Sequence, residues 1–159
     1  MNTLNLSEEF RVPQEHKTKD FLFRKLTTRD VYEDFLAVMS SINVIRETRG
    51  GSWPTKELTL EEDLVDLGWH QKEFENKTSF AFTVFSPDNS KCLGCFYLYP
   101  AGYREDVSDE YDVDVSFWVT KAAYEKGLYK TLYLDIKDFL SKWPFKKPYW
   151  SNKVIPESN

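Results

Sequence analysis

The stretch Asp112-Val-Asp-Val-Ser-Phe-Trp-Val119, running on through Thr120-Lys-Ala-Ala-Tyr124-Glu-Lys-Gly127-Leu-Tyr129-Lys130, decides the fold. Val113, Val115, Phe117 and Val119 share one parity, as a strand with one face in a core requires. Past Lys121 the apolar period changes. Leu128, Leu132, Ile136 and Phe139 fall on one helical stripe, joined by Leu140, until Trp143-Pro144 stops it. A strand therefore runs through a short turn into the head of a helix. The first N–H groups of a helix lack intrahelical partners and carry partial positive charge, so this turn is a ready anion site, suited to a pyrophosphate. Gly127 lets backbone approach an anion with no Cβ in the way.

Working outward, Pro148-Tyr149-Trp150-Ser151 reads as a last strand, and the strand–helix–strand crossover is expected to be parallel and right-handed. Upstream, Phe80 to Phe85 and Cys92 to Tyr99 are strands joined by the turn Pro87-Asp88-Asn89-Ser90. Residues 103–110 are acidic and read as a mobile loop. Thr59-Leu60-Glu61-Glu62 is a capping box opening a helix to about Asn76, with Leu60, Leu64, Leu67 and Phe74 on one face. Val31, Phe35, Val38 and Ile42, beside Met39, mark an earlier helix, and Phe21 to Leu26 a first strand. The order is β-α-α-β-β-β-α-β: an α/β (α+β) class with a mixed, mostly antiparallel sheet flanked by helices. Residues 1–19 read as a flexible lead-in or a surface strap, and 20–159 as one domain.

Composition narrows the function. The 159 residues carry a net charge of −5, against nucleic acid as main partner, because phosphate backbones select basic faces. No apolar run reaches the length of a membrane span, and the N-terminus has no signal-peptide pattern, so the cytoplasm is the expected compartment. Aromatics make up 16% of the chain, enough flat bulk to line a groove. Cys92-Leu-Gly-Cys95 has no second pair to complete a zinc site, and in a strand its odd spacing is expected to turn the two thiols to opposite faces, so no metal is expected. His16 and His70 read as surface residues, with His70 beside Trp69 also able to line an acceptor groove. Trp53, in the loop Arg49-Gly-Gly-Ser-Trp-Pro54, reads as a loop anchor or a substrate-site residue.

The central stretch resembles the GNAT (Gcn5-related) N-acetyltransferases. Their strand reads roughly E-x-G-Y-W-V, matched here by Asp114 to Val119, and their helix head reads Q/R-x-x-G-x-G/A, matched by Tyr124-x-x-Gly127-x-Tyr129. Phe23 to Asp30 and Leu93 to Leu98 are similar to the subgroup acting on protein N-termini, antibiotics and small amines. The likeness spans about residues 20–155. The sequence departs from it at Tyr124 and Tyr129, and Gly127 alone of the motif is kept. The family usually continues past the strand at Tyr149 into a further helix and two strands, which commonly carry a Tyr that protonates the departing thiolate.

The resemblance implies an acetyl-CoA-dependent N-acetyltransferase acting on an amine-bearing small molecule or a peptide N-terminus. It implies that strand backbone at Phe117 and Val119 holds the pantetheine, with Asn152 nearby. The pyrophosphate would lie on Tyr124, Glu125, Lys126, Gly127, Leu128, Tyr129 and Lys130. Asp114 stands where the family's strand carboxylate stands and is the candidate base, with Asp112 the runner-up. Two other readings remain: a catalytically inactive GNAT-like domain that binds acyl-CoA or a partner, and a homodimer that completes the sheet edge beyond Tyr149.

Overall fold

In the computed structural model, which describes residues 3–102 and 107–156, the strands form one sheet in chain order: β1 (Glu15–Lys17), β2 (Leu22–Lys25), β3 (Phe80–Phe85), β4 (Cys92–Tyr99), β5 (Val113–Val119) and β6 (Pro148–Trp150). Each neighbouring pair is antiparallel except β5–β6, which is parallel. The parallel pair is the one whose link is a helical crossover, α4 (Lys121–Glu125) and α5 (Leu128–Leu140). The expected mixed, mostly antiparallel architecture is observed.

The parity of β5 sets the layers. Val113, Val115, Phe117 and Val119 are fully buried against α5, where Leu132, Ile136 and Phe139 meet them together with Phe82 and Phe96. On the other face Ala81, Cys95, Tyr97 and Trp118 pack against Val31 and Val38 of α1 (Val31–Met39), Ile45 of α2 (Ile42–Arg49) and Leu67 of α3 (Leu60–Glu75). Gly94 permits the β4–β5 contact itself: a Cβ there would lie 2.2 Å from the Trp118 carbonyl oxygen.

Several local readings change. The first helix breaks after Met39, because Ser40 and Ser41 turn their hydroxyls to local and distant backbone; Ser41 Oγ accepts the Lys121 N–H at 2.8 Å. The lead-in supplies β1, paired with β2, and residues 3–12 lie as a strap: Leu4 is buried and Phe10 packs on Trp143 at 5.2 Å. The capping box forms as read, Thr59 Oγ1 accepting from Glu62 N–H and Glu62 Oε1 from Thr59 N–H. The helix after it buries Asp63, Leu67, His70 and Phe74, leaving Leu64 exposed. The thiols of Cys92 and Cys95 share one face rather than opposite ones, because the β3–β4 register shifts at Val84/Phe85 and restores a common parity. Of the acidic loop, residues 103–106 lie outside the described residues; beyond them Val107 is buried and Glu110 pairs with Lys147 at 2.9 Å. No helix among the described residues is long and apolar enough to cross a membrane.

Asp63 is inside because it meets another buried acid. Asp34 on α1 and Asp63 share a hydrogen bond where the helices cross. Burial first, then that bond and the neighbouring carboxylates, push Asp34 well above the usual carboxylate range; burial also raises Asp63. A pKa raised by folding stabilises the fold fully below the unfolded value, near 3.8, and the contribution is lost as pH climbs through the folded value. Each unit of difference is worth about 1.4 kcal/mol. Urea unfolding from pH 4 to pH 8 is therefore expected to show wild type losing stability relative to Asp34→Asn; parallel curves would refute the shared proton.

Candidate functional site

The site grows from the point where β6 leaves β5. The Ser151 N–H donates to the Val115 carbonyl at 2.9 Å, the last main-chain bond of that pair. By alternation the next backbone groups of β5 facing β6 belong to Phe117, and a side chain takes them. Phe117 N–H donates to Asn152 Oδ1 at 2.9 Å, and Asn152 Nδ2 donates to the Phe117 carbonyl at 2.9 Å. Asn152 Nδ2 also donates to Tyr129 Oη at 2.7 Å, and Tyr129 Oη donates to the Val154 carbonyl at 2.6 Å. The Tyr129 ring stacks on Phe117 with centroids 4.8 Å apart. Burial raises the Tyr129 pKa, keeping the phenol neutral and able to donate. Lys153 N–H to the Arg49 carbonyl and Val154 N–H to the Thr48 carbonyl fasten this segment to the end of α2.

Next to this cluster lies the turn. Thr120 caps α4, its Oγ1 accepting the Ala123 N–H. Gly127 heads α5 with φ of 78°, a left-handed conformation that an L side chain resists. A Cβ at Gly127 would meet nothing within 4 Å, so the conformation, not crowding, calls for glycine. Glu125, Lys126, Gly127 and Lys130 are exposed, Tyr124 is 45% exposed, and Leu128 is half-buried. Two open clefts flank the turn. One of about 620 Å³ runs between Leu36 of α1, with Ser40 just past its end, and residues Thr120, Lys121, Ala122 and Glu125; one of about 320 Å³ lies among Ser41, Lys56 and Lys121.

Of the expected cofactor residues, Phe117, Tyr129 and Asn152 thus form one bonded cluster, while Glu125, Lys126, Gly127 and Lys130 form an open turn beside it. Val119 is fully buried in the core above α5. Asp114 is 3% exposed on the face opposite α5, and its Oδ1 accepts the Ser151 hydroxyl at 2.6 Å. Asp112 stands apart from the cluster: it accepts the N–H groups of Lys146 and Lys147 and orders the turn into β6. The buried thiols play no part in acid–base work here, since burial holds Cys92 up at about 12 and Cys95 well above its ordinary value.

A second group was not legible as a unit. Arg49, Trp53, Asp66, His70, Tyr97 and Tyr99 line a cavity of about 160 Å³ on the face of β4 away from α5. His70 is not the surface residue expected from the sequence: it is 9% exposed, with Trp69 at 61% in the outward position. Its ring packs 5.3 Å from Tyr97, and its Nε2 lies 3.4 Å from Asp66. The cavity abuts β5, because Arg49 Nη2 reaches Ser116 Oγ at 3.5 Å.

No protein-family model and no curated protein sequence matches the chain. Solved structures do. The Microcin C7 self-immunity acetyltransferase MccE, in complex with acetyl-CoA and AMP, superposes with a TM-score of 0.62 at 12% identity, over 84% of this chain and 68% of its own. FdhC, a nucleotide-linked sugar GNAT, gives 0.55 at 14% identity, over 87% and 72%. A ribosomal-protein-S5-alanine acetyltransferase from Vibrio fischeri gives 0.58 at 13%, over 80% and 67%. At these identities the likeness concerns the fold.

The Asn152 carboxamide satisfies three buried polar groups at once. Removing it in Asn152→Ala is expected to cost about 2–4 kcal/mol, since Phe117 N–H, its carbonyl and Tyr129 Oη lose partners together. Chemical denaturation checks this; a loss under about 0.5 kcal/mol would mean the cluster contributes little.

Proposed function

We propose that this chain, which has the GNAT acetyltransferase fold, transfers an acetyl group from acetyl-CoA to a primary amine. The observation that carries the reading is the Phe117–Asn152 pair. It lies in the wedge between diverging parallel strands, beside a glycine-led helix start. A secondary amide in that wedge makes the same two bonds to Phe117 that Asn152 makes now, one donated and one accepted. The pantetheine of acetyl-CoA carries such amides. Its diphosphate then falls at Tyr124–Lys130, where the N–H groups of the first turn of α5 and Lys126 favour an anion.

Cosubstrate entry requires Asn152 and Tyr129 to give way, because the Tyr129 ring covers Phe117. In the transfer the neutral amine attacks the thioester carbon. A C–N bond forms, the C–S bond breaks, and the amine proton passes to a base and on to the thiolate. We assign the base to Asp114, which is on the face shared with the Arg49 cavity and already holds the Ser151 proton in a short hydrogen bond. The acceptor is a small amine or a peptide N-terminus.

The filled wedge supports a second reading, a GNAT-fold domain that does no acyl transfer and uses residues 151–154 as a permanent plug. Isothermal titration with acetyl-CoA separates the two. Micromolar binding, strengthened in Tyr129→Ala and lost in Gly127→Asp, is expected for the transferase. Asp accepts the left-handed conformation and caps a helix, so this variant is expected to fold while placing a negative charge at the diphosphate position. Absence of binding in both wild type and Tyr129→Ala would overturn the transferase reading.

A further inference from the structure

The guanidinium of Arg49 lies 4.7 Å over the Tyr97 ring and 5.6 Å from the Trp53 ring. Its Nε is buried and donates to nothing, and Nη2 reaches Ser116 Oγ at the 3.5 Å limit of a hydrogen bond. No carboxylate among the described residues pairs with it. A half-buried cation ordinarily has its counter-charge close by, because removing it from water is costly. Here two aromatic faces hold the fork in place, and its free donors border a cavity.

The cavity has a second pole. The Asp66 carboxylate, with half of its side chain exposed, stands in the lining, 3.4 Å from His70 Nε2. About 160 Å³ holds roughly five waters, or one molecule of amino-acid size. The fixed fork of a single arginine matches a planar carboxylate in two parallel bonds. A dianionic phosphate fits less well, since Asp66 faces the same small space. An ammonium group is complementary to Asp66.

We infer that this cavity binds an amino carboxylate, its carboxylate held by Arg49 and its ammonium turned toward Asp66, so that the amine acceptor of the transfer is an amino acid or a molecule ending in that group. Only the word acceptor rests on the transferase reading; the binding site stands without it. Arg49 acts as a binding residue, and Tyr97 and Trp53 orient it. Tyr97 serves as a neutral wall, since burial raises its phenol well above the ordinary value.

The test uses the intact protein without acetyl-CoA. Glycine, L-alanine and L-glutamate, each beside its methyl ester, are titrated while tryptophan fluorescence is followed, Trp53 being the reporter next to the guanidinium. At least one amino acid is expected to give a saturable change, with its ester at least tenfold weaker. Arg49→Gln is expected to weaken the acid at least tenfold and leave the ester unchanged, with Arg49→Lys in between. Equal binding of acid and ester, or no saturable binding of any of the three acids, overturns the inference on wild-type protein alone, whether or not the variants fold. Thiol release with acetyl-CoA then separates the two claims. Acid-selective binding without release leaves the pocket and removes the transferase. Release from the amino acids with a KM unchanged in Arg49→Gln leaves the transferase and removes the pocket as the acceptor site.

Discussion

Two parallel strands that part company leave a row of main-chain donors and acceptors with no ladder to join. β6 follows β5 only as far as Val115, and Phe117 is then left facing a gap in a fully buried setting. An unpaired amide and carbonyl there would cost several kcal/mol together. The sequence meets that demand with one carboxamide. Because Asn152 takes both groups of Phe117, the chain after β6 must cross toward α2, where Thr48 and Arg49 offer the carbonyls at the helix end. Because the same carboxamide has a second donor hydrogen, Tyr129 is held in the gap by its hydroxyl. The start of α5, the end of α2 and the tail beyond β6 are thus tied through one amide.

That arrangement bears on the departures from the GNAT pattern. Tyr129 stands where the motif that the sequence resembles has a small residue. In the fold its ring stacks on Phe117, and Glu125, Lys126, Gly127 and Lys130 stay exposed beside it. The substitution changes the occupancy of the wedge and leaves the turn beside it open.

Much of this was legible. The period switch from Val113–Val119 to Leu128–Leu140 marked a strand and a helix that both form, with Leu132, Ile136 and Phe139 packed on one face of β5 as read, whereas the burial of Asp114, Ser116 and Trp118 on its other face was not in the alternation. The Thr59 cap was equally plain, being a contact within four residues. What escaped depended on partners far along the chain. α3 turns Asp63 and His70 inward in place of Leu64, since Asp34 and the Tyr97 ring await them, and a hydropathy stripe cannot see a paired acid. The faces of Cys92 and Cys95 depended on one extra residue in the β3–β4 ladder, which alternation alone assumes away. Arg49 was only the first residue of a loop in the sequence; its meaning lies in Trp53, Tyr97 and Ser116, of which the last is distant by 67 positions.

The strap at residues 3–12 has a consequence for how the domain presents itself. Leu4, Leu6, Phe10 and Val12 pack on the α5-side core, and Phe10 lies against a Trp143 that also touches Phe80, Phe82 and Phe139. The strap therefore acts as a lid on an aromatic floor, and β1 shields the edge of β2 as a three-residue guard rail. A molecule trimmed to begin at Phe21 would keep every residue of the wedge and of the Arg49 cavity, yet it would bare a sticky patch and an unpaired strand. Its first symptom would be self-association, and a catalytic assay would misread that as damage to the site.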